Sequence, residues 1–199
     1  GTDELKDWKT NAKQALGFKD TSYNEAIANA RQLRSKGVDV ELTGHSKGGG
    51  MAAAAASAAG LPATTFNAAG VHDQTLLEAG LTEEQIAGTA KNVEAYHNEK
   101  DPLNLIQDNR KLILATGASA GAFGGPIGPL ISAALGFVLQ SGGLPKAFGQ
   151  RTTVPAHSGQ GMNPLKNHGM DAMMKSIAEQ QDNRLNQQLG CTSPAALSA

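Results

Sequence analysis

The sequence predicts an α/β fold, a mostly parallel sheet flanked by helices, organised as a single domain over residues 1–190. Three observations predict it. Helical and strand-like patterns alternate along residues 22–97, the order expected when parallel strands are joined by crossover helices. A strand-like run at 38–43 passes straight into a glycine-rich turn and then an alanine-rich helix. The chain has 199 residues, 40% of them hydrophobic, enough for one domain with a sizeable core.

Residues 3–16 place Leu5, Trp8, Ala12 and Ala15 near one face of a helix. Asp3 and Glu4 suit the positive end of its dipole, and Gly17 ends it. A second helix is expected over 22–36, with Ser22 as N-cap, Glu25 at the capping-box spacing and Gly37 as the stop. Tyr23, Ile27, Ala30 and Leu33 or Arg34 mark its faces. Residues 38–43 alternate and are rich in strand formers, 51–59 form a helix, and 63–67 read as the next strand. A helical stretch covers 73–90, with Thr82 as an N-cap followed by Glu83 and Glu84, and 92–97 form a further strand.

The stretch 112–145 carries no charged residue and is bracketed by Lys111 and Lys146. Pro126 and Pro129 argue against one straight helix, so the insertion 111–146 reads as two apolar segments, 111–122 and 129–140, around a Gly/Pro turn. Residues 150–167 are loop-rich, 168–187 return to a helix, and 191–199 form a tail.

Composition narrows the function. Seventeen basic against eighteen acidic residues give a net charge of −1, which offers no support for a nucleic-acid binder. Aromatics are 4%, too few for a base-stacking platform. A single cysteine, Cys191, excludes CxxC redox motifs and cysteine-rich zinc sites. No metal-ligand spacing is present, and neither a metal nor a cofactor is expected. No signal peptide is visible.

The chemistry lies at Gly44-His45-Ser46-Lys47-Gly48, which fits G-x-S-x-G between a strand and a helix. Such a turn projects a serine hydroxyl from a strained backbone, and its glycines admit tight packing. The helix start that follows makes the Lys47 N–H a natural donor to an oxyanion. A phosphate-binding loop would need Lys and Ser/Thr at its end, and Lys47 stands elsewhere.

An activated serine of this kind needs an acid and then a histidine later in the chain. Asp101 follows the strand at 92–97 in the loop Asn98-Glu99-Lys100-Asp101-Pro102, with Asp73 and Glu99 as rivals. The competing role for Asp101 is to cap the segment after Pro102. Among the histidines, His45 lies inside the turn, while His72 and His97 precede Asp101. Order allows His157 and His168, and His168 is preferred because it sits just before the terminal helix.

These residues resemble a known family. The run 42–49, LTGHSKGG, is similar to the elbow of class 3 (fungal-type) lipases, and 60–70 resembles the following strand in their bacterial branch. That branch includes phospholipase toxins delivered by secretion systems. Asn98 to Pro102 resembles the family's acid loop and His168-Gly169-Met170 its base motif. The resemblance implies an α/β-hydrolase fold and a lipolytic serine hydrolase with Ser46, Asp101 and His168 as its catalytic residues. It also implies Thr2 as a second oxyanion donor beside Lys47.

Three departures stand out: Lys47 replaces the usual leucine, the strand that would precede Thr2 is missing, and the insertion does not align. The missing strand implies that the chain is a piece of a longer protein. A lid or acyl-chain cradle, a buried α-hairpin and a membrane-inserting element are all open readings of the insertion. The expected partners are a lipid substrate at a membrane surface and an immunity protein or secretion apparatus, with the protein secreted or delivered into a target cell. A short-chain esterase or thioesterase, or a non-catalytic binding module of this fold, are the alternatives.

Overall fold

The computed structural model describes residues 21–109 and 145–189. The expected helix at 3–16, Thr2, the apolar segments at 111–122 and 129–140, and the tail at 191–199 lie outside the described residues.

Four parallel strands form one sheet in the order β1-β2-β3-β4, with β1 Leu42–His45, β2 Ala63–Phe66, β3 Val93–Asn98 and β4 Gln150–Val154. The flanking helices are α1 Thr21–Ser35, α2 Lys47–Ala59, α3 Asp73–Glu78, α4 Glu83–Thr89, α5 Pro102–Asp108, α6 Pro164–His168 and α7 Met170–Gln188. The expected α/β architecture with a parallel sheet is therefore present.

Packing explains where these elements differ from the sequence pattern. The first strand was expected at 38–43 and is found at Leu42–His45, because its partner begins only at Ala63 and the ladder opens with Leu42 opposite it. Among the described residues, 38–41 face no partner strand, and strand patterning alone yields no strand. The helix expected at 51–59 starts at Lys47, directly after Ser46, so the glycines at 48–50 are helical. Ser22 lies inside α1 rather than capping it. The stretch 73–90 is two helices, broken where Gly80 takes φ 89° and the N–H groups of Gly80 and Leu81 turn back to Leu77 and Leu76. That is the Schellman closure glycine permits. Thr82 then opens α4 with a full capping box, its hydroxyl accepting from Gln85 N while the Gln85 side chain accepts from Thr82 N. The loop-rich region at 150–167 contains β4, which pairs with β3 over five residues.

The core forms around α2. Ala53, Ala54 and Ala56 are fully buried, as expected for a helix apolar all round. One face of α1, made by Tyr23, Ile27 and Ala30, packs with them against Leu61, Val71, Leu76 and Val93. Small side chains let backbones approach closely: a Cβ on Gly50 would stand 3.0 Å from the Ala69 carbonyl oxygen. Because all four strands point the same way, the residues that follow them emerge along one edge of the sheet. Ser46, Asn67 and the Asp101 loop gather there, at the place where open parallel sheets hold their ligands.

Candidate active site

Ser46 joins β1 to α2 with φ 55° and ψ −125°, a conformation L-residues rarely adopt. The surroundings hold it there. Its N–H donates to Phe66 O at 3.1 Å, while its carbonyl accepts from Gly50 N at 3.1 Å and Ala69 N at 2.9 Å. Only Ser46 and Asn67 among the described non-glycine residues have positive φ, and both lie at this edge.

The flanking glycines serve unequally. A Cβ on Gly44 would sit 2.2 Å from the Gly48 carbonyl oxygen, and one on Gly49 would sit 2.8 Å from Ala68 Cβ. A Cβ on Gly48 meets nothing among the described residues. Close packing thus selects the first glycine of the motif and Gly49 rather than Gly48. Gly44→Ala is expected to destabilise the protein by about 1–3 kcal/mol or more, because backbone stands in the way. Gly48→Ala is expected to be neutral or stabilising by up to about 1 kcal/mol, since alanine is the better helix former. Thermal unfolding of the two variants checks this, and equal losses would contradict it.

Asp101 is fully buried at the N-cap of α5. Both roles weighed for it coexist. Its Oδ2 accepts from Asn104 N at 2.8 Å and from the Asn104 side-chain amide, while its Oδ1 lies 2.6 Å from His168 Nδ1. His168 ends α6, and its Nε2 lies 2.7 Å from Ser46 Oγ. A carboxylate only accepts, so Nδ1 carries the imidazole proton and the Nε2 lone pair faces the serine O–H. One imidazole therefore spans residues far apart in sequence, arranged so that a proton can leave Ser46.

The rivals stand elsewhere. His157 lies in a turn whose Nδ1 accepts from Gly159 N at 3.2 Å. Asp73 is exposed at the start of α3, and Glu99 is exposed and accepts from Ala156 N at 3.2 Å. Lys47 begins α2 beside Ser46, half-buried.

Comparison with known proteins matches residues 1–156 to the phospholipase-like family described as the Tle-like phospholipase domain. The chain belongs to this family. The matched span takes in Ser46 and Asp101 of this Tle-like phospholipase domain and ends before His168. The chain is also similar to a protein named extracellular phospholipase A1 from Serratia liquefaciens, with 41% identity over 119 residues. That alignment covers 57% of this chain and 36% of the relative, so the chain spans about a third of the relative's length.

Sequence reasoning missed the side chains that hold this candidate site of the Tle-like phospholipase domain in place. His45, set aside as a base, donates from Nε2 to the His168 carbonyl at 2.7 Å. Asn67 donates to the same carbonyl at 3.0 Å. Asn104 links Asp101 to Arg151, whose Nη2 donates to Asn104 Oδ1 at 3.1 Å, and Arg151 forks onto Asp108. An asparagine placed just after a strand, and one three residues after an Asp-Pro, were the only available signals, since asparagine tolerates left-handed backbone and Asp caps helices. Among the described residues, no group of His, Cys, Asp or Glu side chains could hold a metal ion, and no helix is long and apolar enough to cross a membrane.

Burial lowers the pKa of His45, His72 and His97 below the usual 6.5; for His97 the Arg151 charge adds to the effect. For each, the unfolded chain binds the proton more readily than the folded one. Their contribution to stability is whole above pH 6.5 and is lost as pH falls from there through the folded-state values. Melting temperature is therefore expected to drop between pH 7 and pH 5, and His97→Gln to flatten that drop. An unchanged slope in the variant would exclude His97 as a contributor.

Proposed function

We propose that this domain is an α/β-hydrolase that cleaves carboxylic esters of phospholipids through an acyl-enzyme on Ser46. The observation that carries the reading is the single imidazole of His168 between Ser46 Oγ and Asp101 Oδ1, at 2.7 and 2.6 Å, in a chain of a phospholipase-like family. Ser46 Oγ attacks the ester carbonyl as His168 Nε2 takes its proton. Asp101 holds the tautomer and stabilises the imidazolium. The carbon–oxygen ester bond then breaks, and His168 returns the proton to the departing lysophospholipid alcohol. Water, activated by the same imidazole, releases the fatty acid and restores Ser46.

The Lys47 N–H, at the positive end of α2, serves the oxyanion, and Thr2 joins it by family resemblance. The lack of any charge over 112–145 supports reading the insertion 111–146 as the acyl-chain cradle or lid. The extracellular setting named for the Serratia relative supports action outside the producing cell; the effector role, with an immunity protein that would block the site, rests on the family resemblance alone.

The test is hydrolysis of phosphatidylcholine vesicles and of a soluble short-chain ester, with identification of the lysolipid product. Cleavage of vesicles with release of fatty acid is the expected result. Cleavage of the soluble ester alone would replace the phospholipase by a short-chain esterase. Turnover of neither substrate, with no labelling of Ser46 by a fluorophosphonate, would leave a binding module.

A further inference from the structure

His168 ends a helix of only five residues, so its ring needs support from outside α6. The support reaches its backbone carbonyl, an acceptor that a helix end leaves without an intrahelical partner. Asn67 Nδ2 donates to that carbonyl at 3.0 Å, and His45 Nε2 donates to it at 2.7 Å. The Asn67 carboxamide is fully buried, and its other end is also engaged: Oδ1 accepts from Asn98 N at 2.8 Å. Asn98 opens the turn that presents the acid, closed by Asp101 N donating to Asn98 O at 2.9 Å.

A backbone N–H can only donate and a carbonyl can only accept, so the orientation of the Asn67 amide is determined by its two partners. Only a side chain with an acceptor and a donor at this spacing joins them. An aspartate would set a second oxygen against the His168 carbonyl. The cost of φ 43° at Asn67 is met so that one amide can bridge the histidine segment and the acid segment.

We propose that Asn67 is a positioning residue, a crossbar that sets His168 relative to Asp101 and Ser46, with His45 as the second hold on the same carbonyl. The proposal rests on the reading of Ser46, His168 and Asp101 as the working triad. Two variants test it. Asn67→Gly keeps the positive φ accessible and removes both bonds; Asn67→Asp keeps the volume and the acceptor and removes the donor.

The variants are compared with the unaltered chain by kcat and KM on fluorophosphonate-titrated sites. The downfield proton resonance of His168 Nδ1–H in the resting protein is the second readout. The expected result is a kcat per titrated site lower by about 10–100-fold, with KM within about twofold and the resonance lost or shifted. A variant with fewer titratable sites or a lower melting temperature but an unchanged kcat per site would overturn the proposal, since Asn67 would then be structural only. If Asn67→Gly does not fold, the isosteric Asn67→Asp decides on the same criteria. If the unaltered chain neither labels nor turns over, the triad reading fails. The crossbar is then judged on the resonance alone: its loss in Asn67→Asp supports the crossbar, and an unchanged signal rejects it.

Discussion

Replacing Ser46 by alanine is expected to lower kcat for ester hydrolysis by about 10⁶-fold while leaving KM near its original value, because in the proposed mechanism the removed oxygen is the one that forms the acyl bond. The fold should survive the change. The strained turn is held by backbone bonds from Ser46 to Phe66, Gly50 and Ala69, none of which involves the hydroxyl. The hydroxyl makes no cap bond to α2, and its partner is His168 Nε2. Melting temperature should therefore move little while phospholipid hydrolysis and fluorophosphonate labelling vanish together. Hydrolysis that persists in Ser46→Ala at more than a trace would mean that the nucleophile lies elsewhere.

Asp101→Asn should reduce kcat by about 10⁴-fold through a different route, the wrong tautomer of His168. The asparagine has one oxygen for two demands. On one side stand two donors from Asn104, its backbone N–H and its side-chain amide. On the other stands the single Nδ1 of His168. The oxygen turns to Asn104, where two bonds are satisfied, and the new NH2 group faces His168. The imidazole must then accept at Nδ1 and carry its proton on Nε2, where it donates to Ser46 and cannot take a proton from it. The helix cap is kept, so Asp101→Asn should be more stable than Asp101→Ala, which leaves the buried Asn104 donors unpaired at a cost of about 1–3 kcal/mol. Activity and melting temperature measured on both variants separate the two roles of one carboxyl group. A kcat for Asp101→Asn close to that of the unaltered chain would remove Asp101 from the mechanism.

Much of the site was legible because its signals are local or ordered along the chain. Ser46 sits in a short motif whose glycines and following helix are contiguous. Asp101 follows a strand and precedes a proline, which suits both a sheet edge and a helix start. His168 was preferred over His157 from its position before the terminal helix, and the structure places the imidazole of His168, not that of His157, against Ser46 and Asp101. His45 gave no such signal and Asn67 only its place just after a strand: both meet a carbonyl more than a hundred residues away. Gly48, a motif glycine expected to admit tight packing, meets nothing among the described residues, and Gly49 packs closely instead, since the collision that selects Gly49 is with Ala68 on another segment.

The amino-acid sequence by itself determined the order of helices and parallel strands, the strand–turn–helix at Ser46 and the succession of serine, acid and histidine proposed as the site. Each of these depends on neighbours within a few residues, through periodicity, capping and the conformational range of glycine. The tertiary structure decided where strands begin, that residues 150–154 form one, which histidine reaches the serine, and that one buried amide bridges the two loops that serve it. A strand exists only opposite a partner of matching length, and a side chain's role depends on what folding brings within about 3 Å of it. Neither is written in the residues beside it.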